Sequence, residues 1–406
     1  MPTSDGGTEA ALRRRMVGDL DGWGARAGVV LDPAVRDALL LVSRAHFTPG
    51  ASLEAAHDVH TAIVTKRDPG GTAISSVSAP SIVAMMLTQL AVRPGHRVLE
   101  IGSGGYNAAL LRELVGPSGQ VTTLDVDPSV VSRASERLRS AGYEDVEVRF
   151  ADGEFGAADR APFDRIIVTV EAADVPPAWV GQLREGGRLV VPLRMCGLTR
   201  SVAFTATTGT LISTGYELCG FVPMQGTGEH REHRVPLAEG VQLRLDDGQR
   251  ADALALVAAL NGPRADVDTG VRVGTEPFVE HLDLWLATTL PGFCVLVADP
   301  AAIERGRVNP TWPGGGTPAI TRGGTVAYRS WRQYPEGGAD LRVTAHGPDA
   351  ADLADEFARA HRVWARERRN GPPARIEVHP LTTPDAALPA GFRLDRRHTR
   401  TVIIWS

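Results

Sequence analysis

Short apolar runs alternate with helical stretches along the first half of the chain. The first run starts at Arg97, opens directly into a glycine turn and is followed by a helical stretch over Asn107–Leu114. Apolar strands that alternate with helices are typical of a sheet covered on both faces, so the pattern predicts a mostly parallel, doubly wound α/β sheet. Further strands are predicted over residues 120–125, 146–151, 164–170 and 187–193. A short helix is predicted over residues 178–183, and an antiparallel hairpin over residues 201–206 and 211–216.

The chain from about Val241 onwards carries a second series of short patterns, which predict a smaller α/β body. Its clearest helix spans Ala350–Arg369, where an apolar stripe predicts packing on that body's own sheet. The stripe consists of Leu353, Phe357, Ala360, Val363 and Trp364. The other segments are Gly240–Arg244, Leu282–Leu290, Cys294–Ala298, Thr325–Trp331, Leu341–Ala345, Arg375–His379 and Thr401–Trp405.

The opposite face of the Ala350–Arg369 helix is basic. A solvated helix face explains this charge, and a docking surface for an acidic precursor peptide is the alternative. The residues are Arg359, Arg362, Arg366, Arg368 and Arg369.

A chain of 406 residues is longer than one hydrophobic core usually supports, so the length predicts two domains. The polar stretch Gly226–Leu237 is the predicted boundary. The prediction is a first domain over residues 1–235 and an accessory domain over residues 236–406.

Composition narrows the class of partner. A net charge of −5 argues against a nucleic-acid partner, because phosphate binding needs a concentrated basic face. No run of 18 apolar residues occurs and the N-terminus lacks a charged and apolar leader, which predicts no membrane partner and a cytoplasmic location. Cys196, Cys219 and Cys294 have no close pairing in the sequence and are predicted to be reduced, buried thiols.

The glycine turn predicts a cofactor site. Gly102 and Gly104, with Ser103 between them, allow positive φ and a close approach of the backbone to a ligand, although a plain strand-to-helix turn also fits. A dinucleotide fingerprint would place a third glycine where the chain has Asn107, so NAD and FAD are disfavoured. Glu100 suits a cofactor whose amino-acid tail carries an ammonium group. The pattern therefore predicts S-adenosylmethionine.

Two further acids follow at strand ends. Asp125 comes about 20 residues after the turn, the spacing at which a carboxylate accepts hydrogen bonds from ribose hydroxyls, and Val126 follows it. Asp127 is predicted to cap the next helix. The third strand runs into Asp152 and Gly153, which can meet the adenine amino group, and a surface turn is the alternative.

Two histidine pairs lie outside this series. His230 and His233 are three residues apart, but without further ligands they predict a solvated loop and no metal site. His57 and His60 receive the same interpretation.

Ten segments occur in the order of a known family, and the chain resembles the protein-L-isoaspartate O-methyltransferases over roughly residues 12–228. The resemblance implies a Rossmann-like, class I S-adenosylmethionine-dependent methyltransferase fold and places His57 and His60 near the site entrance. The segments are Met16-Val17, Leu31–Pro33, Val42–Pro49, Ile74–Pro80, Ile82–Leu90, Ala151–Gly153, Ala161–Asp164, Val175-Pro176, Gln182–Pro192 and Phe221–Gly226.

Two features depart from the family. The turn Gly102–Tyr106 is one residue shorter than the family's Gly-Ser-Gly-Ser-Gly-Tyr, and the chain continues well past the resemblance. The extension and the stretch Glu100–Leu110 resemble actinobacterial relatives encoded with ribosomally made, modified peptides, including the group named for FxLD-type precursors. This implies methylation of a peptide aspartate, whose ester then collapses to aspartimide or isoaspartate.

The chemistry asked of the site is modest. A carboxylate with a pKa of about 4 is already ionised at neutral pH and needs no general base to attack a sulfonium methyl group. The site must hold and orient that carboxylate. By resemblance, Ser78 is the candidate catalytic residue that donates a hydrogen bond to it. Capping of the helix that follows Pro80 is the alternative role of Ser78.

Three functional hypotheses follow. The first is an enzyme that methylates an aspartate in a dedicated, modified peptide substrate. The second is a repair enzyme that acts on isoaspartate in damaged proteins. The third is a binding protein that keeps the cofactor fold and recruits a partner without turnover.

Overall fold

The computed structural model describes residues 4–246, 248–274, 280–312 and 315–406. The chain forms two compact units, and neither is one continuous segment. The first unit comprises the chain up to Leu193, Thr199–His230 and Arg375–Val402, and the second comprises Arg194–Leu198, Arg231–Ala374 and Ile403–Ser406.

The elements up to residue 218 contain eight helices and nine strands in the described part of the chain. In order they are α1 (Ser4–Ala27), α2 (Pro33–Leu41), α3 (Arg44–Phe47), α4 (Leu53–His57), β1 (Ile63–Arg67), β2 (Ala73–Val77), α5 (Pro80–Leu90), β3 (Arg97–Ile101), α6 (Tyr106–Val115), β4 (Gln120–Asp125), α7 (Pro128–Ser140), β5 (Glu147–Phe150), β6 (Phe163–Val168), α8 (Pro177–Gln182), β7 (Leu183–Met195), β8 (Leu198–Thr207) and β9 (Thr210–Leu218).

The later elements continue the chain order. They are β10 (His233–Ala238), β11 (Val241–Leu245), α9 (Ala253–Leu260), β12 (Arg264–Val273), α10 (Glu280–Thr289), β13 (Phe293–Ala298), α11 (Pro300–Glu304), β14 (Thr317–Arg322), β15 (Thr325–Gln333), β16 (Ala339–His346), α12 (Ala350–Glu367), β17 (Arg375–Pro380), β18 (Phe392–Asp395) and β19 (Thr399–Ile404).

A large sheet runs in the order β18-β19-β17-β9-β8-β7-β6-β3-β4-β5. Strands β5, β4, β3, β6 and β7 pair in parallel, and β8 and β9 form an antiparallel hairpin. The predicted doubly wound α/β sheet with an antiparallel hairpin is therefore confirmed, but the hairpin does not end the sheet, because β17, β19 and β18 follow β9. Its central strand β3 is almost fully buried, as its apolar sequence predicts.

The predicted division into residues 1–235 and 236–406 needs correction. β17 pairs antiparallel with β9, with Val378 opposite Leu211, so residues 375–402 belong to the first unit. A free edge at β9 would leave unpaired backbone N–H and C=O groups, and β17 satisfies them while burying Ile376 and Val378. Residues 231–374, the main part of the second unit, are therefore an insertion between two strands of one sheet.

The second unit is built on an antiparallel sheet in the order β10-β11-β13-β14-β15-β16-β12. Helix α12 packs on β12, β15 and β16 of this sheet. Leu353, Phe357 and Trp364 of the predicted stripe are buried, which confirms the predicted packing. Arg359, Arg362 and Arg366 are exposed on the other face of α12.

Candidate functional site

The parallel strands β3, β4 and β5 end at the same edge of the first unit's sheet. Two adjoining cavities lie at this edge in the described part of the chain. They share Ser76, Gly102, Gly104 and Thr169. The carboxyl edge of an open parallel sheet is where ligands of α/β proteins bind, so this edge is the candidate site.

The first cavity is open to solvent and includes the ends of β3 and β4. It brings together six predicted residues, namely Gly102, Ser103, Gly104, Asp125, Val126 and Gly153. The remaining lining residues are Ile74, Ser75, Ser76, Ile101, Leu124, Thr169, Val170, Val222, Met224 and Gln225.

The second cavity lies beside α5, which contributes Val83 and Met86 to its lining. It contains the predicted residues Ser78 and Glu100 beside the shared glycines. The remaining lining residues are Val77, Tyr106, Asn107, Ile167 and Phe221. Most of this lining is apolar, so the few polar groups in it stand out.

The glycine turn is shaped by close backbone packing. Gly102 has φ of 96°, and a Cβ there would lie 2.7 Å from Thr169 Oγ1. Thr169 Oγ1 donates to Gly102 O at 2.6 Å and so fixes the turn from the neighbouring strand end. Only glycine fits here, because a side chain would be strained and would clash.

Asp125 stands at the end of β4 beside this turn. Its Oδ2 accepts a hydrogen bond from Ser103 N at 3.0 Å, and its Oδ1 accepts one from Asp127 N at 2.9 Å. Burial raises the pKa of Asp125, while these backbone donors act against that shift. The carboxylate is thus oriented by the backbone at the rim of the first cavity.

Asp127 plays a different part from Asp125. It is the N-cap of α7 and accepts from Ser129 N at 2.8 Å, which confirms the predicted cap. Burial works to raise the pKa of Asp127, but the hydrogen bonds from Lys66 and Ser129 hold it well below its usual range. Asp127 is therefore an ion-paired cap, and Asp125 is the acid that faces the cavity.

Glu100 is completely buried in β3. Asn107 Nδ2 donates to its Oε1 at 2.8 Å, and Thr123 Oγ1 donates to its Oε2 at 2.5 Å. Burial raises the pKa of Glu100 to about 7, although both hydrogen bonds favour the ionised form. In the sequence, Asn107 served only to disfavour a dinucleotide cofactor. In the structure, it orients the Glu100 carboxyl group.

Asp152 lies apart from the other predicted residues. Its Oδ1 accepts from Glu154 N at 3.0 Å and its Oδ2 accepts from Thr227 N at 2.8 Å. Asp152 is not among the lining residues of the first cavity, whereas Gly153 is. A Cβ at Gly153 would lie 2.7 Å from Ile101 Cγ2, so this residue forms a close-packed part of the wall.

Ser78 precedes α5 but does not cap it. The N-cap of α5 is Ala79, which makes no side-chain capping bond, so the alternative role predicted for Ser78 is wrong. The Ser78 carbonyl accepts from Arg44 Nη2 at 2.9 Å, and Val77 O accepts from the same group at 3.2 Å. Arg44 is fully buried and holds the backbone that presents Ser78.

Sequence reasoning missed Arg44, Thr123, Thr169 and Met224. A buried arginine that bonds backbone carbonyls leaves no spacing signal, because its partners are distant in the sequence. The segments Ile74–Pro80 and Phe221–Gly226, quoted above for the family resemblance, do supply cavity residues. They were the available signal for Met224.

The two histidine pairs lie outside both cavities. Within the described ranges, no group of three or more His, Cys, Asp or Glu residues is placed to hold a metal ion. His57 is buried and its Nδ1 bonds the carbonyl oxygen of Leu53 at 2.7 Å. It is a packed helix residue and not a member of either cavity.

The residues present fit a nucleoside that carries an amino-acid tail. Asp125 at the rim offers acceptors for ribose hydroxyls, and Glu100 offers a buried acid to an ammonium group. Gly102 and Gly104 line both cavities without side chains, so a ligand meets bare backbone there.

Comparison with known proteins agrees with this geometry. Residues 23–229, half of the chain, match the family model described as Protein-L-isoaspartate(D-aspartate) O-methyltransferase (PCMT). The chain belongs to this family. PCMT proteins are S-adenosylmethionine-dependent carboxyl methyltransferases, so the chain is an enzyme of that class and its cofactor is S-adenosylmethionine.

Relatives support the same assignment. The protein-L-isoaspartate O-methyltransferase of Methanothermobacter thermautotrophicus is 40% identical over 182 residues, which are 45% of this chain and 79% of that protein. The protein of the same name from Hyperthermus butylicus is 36% identical over 233 residues, covering 55% of this chain and 92% of that protein.

A solved structure named protein-L-isoaspartate O-methyltransferase shares the PCMT fold. Its TM-score is 0.50 at 19% identity, and the likeness covers 90% of this chain and 96% of that one. This identity shows the fold alone. In the part of the chain that the structure describes, no helix is both long and apolar enough to cross a bilayer.

Proposed function

We propose that this enzyme transfers a methyl group from S-adenosylmethionine to the side-chain carboxylate of an isoaspartyl or D-aspartyl residue in a peptide or protein. One observation carries the proposal. The residues that line both cavities lie between Ile74 and Gln225, within the stretch that matches the PCMT family model. The candidate site and the family match therefore coincide.

The proposal assigns the cofactor to the residues already described. Asp125 accepts hydrogen bonds from the ribose hydroxyls, and Val126 and Gly153 line the space for the base. Glu100 faces the ammonium group of the amino-acid tail, while Gly102, Ser103 and Gly104 provide the backbone surface. Bound there, S-adenosylmethionine supplies an electrophilic methyl group on its sulfonium sulfur.

The substrate carboxylate needs orientation more than activation. Its pKa of about 4 leaves it ionised at neutral pH, so it attacks without a general base. Ser78 offers a hydroxyl donor in the second cavity, which adjoins the first. Arg44 positions Ser78 through the backbone at residues 77 and 78. Holding the two reacting groups in line supplies the main rate effect.

The relatives are named for isoaspartate, so the comparisons favour the repair hypothesis over a dedicated, modified peptide. One observation keeps the dedicated peptide as a second candidate. Residues 231–374 form a separate unit outside the matched stretch, and a separate unit is a suitable place to recognise a particular peptide. Membership of an enzyme family argues against binding without turnover.

A methylation assay with paired peptides tests the proposal. Two peptides of one sequence, one with isoaspartate and one with ordinary aspartate, are incubated with labelled S-adenosylmethionine and the full chain. We expect ester formation on the isoaspartyl peptide and none on its partner. Asp125→Ala serves as the control that weakens cofactor binding.

Two results would contradict the proposal. Equal methylation of both peptides would exclude selectivity for isoaspartate. Tight cofactor binding without methylation of either peptide would favour the dedicated-peptide hypothesis, since that enzyme would need its own partner.

A further inference from the structure

The wall of the first cavity at Gly153 and Met224 depends on close packing between two chain segments. Asp152 links them, because its carboxylate accepts from Glu154 N and from Thr227 N at 3.0 and 2.8 Å. A Cβ at Gly226 would lie 2.7 Å from Asp152 Oδ2, and one at Gly228 would lie 2.9 Å from Glu154 Oε2, so the two segments have no spare room. Small shifts of this wall therefore change the cavity.

The turn between β18 and β19, residues 396–399, lies against the same segments. His398 Nε2 donates to Glu154 Oε1 at 2.7 Å, and the Glu154 side chain is only 6% exposed. Arg397 Nη1 donates to Thr227 O at 3.3 Å. The turn thus bonds both segments whose packing forms the wall.

A third anchor joins the turn to Asp174. His398 N donates to Asp174 Oδ2 at 2.7 Å, and Thr399 Oγ1 donates to Asp174 Oδ1. The turn is itself held by Arg396 N, which donates to Thr399 O at 2.8 Å. A short turn with this many hydrogen bonds has a well-defined position, and it therefore constrains the positions of the segments that it contacts.

These residues lie outside the family match, which ends at residue 229. They reach the first unit because β17 extends its sheet beside β9. The chain therefore leaves the methyltransferase fold, forms the second unit and returns to support the cofactor wall.

We propose that the β18–β19 turn is a positioning element for the cofactor, and that His398 is its principal positioning residue. His398 does not line the cavity and acts through Glu154 and the 226–228 segment. This inference rests on the proposed function, because it takes the first cavity as the nucleoside site.

The test is cofactor affinity in variants of the full chain. S-adenosylhomocysteine binding is measured by calorimetry for His398→Ala and His398→Gln. We expect the dissociation constant to rise about five- to tenfold in His398→Ala, because only part of the free energy of the lost hydrogen bond to the Glu154 carboxylate is transmitted to the cofactor wall. His398→Gln, whose amide nitrogen can replace Nε2 as the donor, should stay within about twofold of the wild type.

Three further measurements make the test selective. Arg393 lies in β18 of the same hairpin and forms an exposed ion pair with Asp385, which precedes the hairpin. Arg393→Ala removes this pair and should leave cofactor affinity unchanged. The kcat of His398→Ala at saturating cofactor should also be unchanged while its KM for cofactor rises. Thr399→Val, which keeps side-chain volume and removes the hydroxyl donor to Asp174, should raise the dissociation constant about three- to fivefold and covers the case in which His398→Ala does not fold.

The outcomes separate this inference from the proposed function. A lower melting temperature of His398→Ala with unchanged affinity, or equal weakening in the alanine and glutamine variants, would overturn the positioning role. If Asp125→Ala also left affinity unchanged, the cavity assignment itself would fail. Weakening by Asp125→Ala without weakening by His398→Ala would reject the positioning inference alone.

Discussion

In the second unit, the buried Arg329 donates to Asp283 Oδ1 at 2.5 Å and to Thr311 Oγ1 at 3.2 Å. In the first unit, the buried Glu100 has a hydroxyl and an amide as partners, and within the described residues it forms no ion pair. A buried charged group that is paired with a group of opposite charge needs no further partner. A buried carboxylate without such a partner favours either protonation or the binding of a cation. The difference supports the proposal that Glu100 binds a ligand, whereas the ion pair of Arg329 stabilises the fold.

The largest expected effect is on the stability of the second unit. Arg329→Met leaves the Asp283 carboxylate, whose side chain is 13% exposed, without its cation, and we expect the free energy of unfolding to fall by about 3 kcal/mol. Cofactor affinity of the folded protein should not change. Chemical denaturation and calorimetry measure the two quantities.

The exposed pair Arg322–Glu356 provides a matched control. Arg322→Met should change the free energy of unfolding by less than about 1 kcal/mol, since exposed ion pairs contribute little. Equal effects of the two substitutions would mean that burial of the Arg329–Asp283 pair is not what makes it important.

Glu100→Gln should lower cofactor affinity without lowering stability, in contrast to Arg329→Met. The amide keeps the shape of the side chain and removes the charge that faces the ammonium group, so we expect cofactor affinity to fall by roughly tenfold to a hundredfold. The free energy of unfolding at pH 8 should rise. A raised carboxyl pKa stabilises the fold fully below the ordinary value near 4.5, and this contribution is lost as pH rises towards 7.

The same pKa makes cofactor binding pH-dependent. Protonation of Glu100 below its pKa of about 7 removes the charge, so affinity should weaken about fivefold between pH 7 and pH 6. The raised pKa of Asp125 acts in the same direction at lower pH. Loss of this dependence in Glu100→Gln is the check, and an identical pH profile in that variant would contradict the assignment.

Asp125→Ala should weaken cofactor binding by more than about tenfold, because a hydrogen bond to a charged group contributes about 1.5–3 kcal/mol. Its carboxylate is fixed by Ser103 N and Asp127 N, so it is already oriented for a ligand. Calorimetry with S-adenosylhomocysteine measures the change. Asp127→Asn, which retains a good N-cap, is the control and should stay close to wild type.

Ser78→Ala is expected to have the smallest effect. Loss of one hydroxyl donor to the substrate carboxylate should lower kcat about two- to tenfold and leave the cofactor dissociation constant unchanged. Steady-state kinetics with an isoaspartyl peptide and calorimetry separate the two quantities. An equal loss of cofactor affinity would place the Ser78 hydroxyl on the cofactor instead of the substrate.

Much of the site was predictable because its signals are local. Strand ends place acids at one edge of a parallel sheet, and the glycine turn shows where a ligand meets backbone. Gly102, Asp125 and Val126 accordingly share one cavity. Glu100 was predicted as a ligand residue, but its complete burial and its bond from Asn107 depend on how α6 packs over β3 and β4.

The sequence by itself determined the alternation of strands and helices, the glycine turn, the Asp127 cap and the apolar stripe of α12. These depend on residues a few positions apart, where periodicity and capping act. Tertiary structure decided that β17–β19 join the first unit, that Arg44 holds the Ser78 backbone, and that His398 bonds Glu154. Such contacts join residues up to 244 positions apart, and no local pattern specifies which strand edge or carboxylate a distant segment will meet.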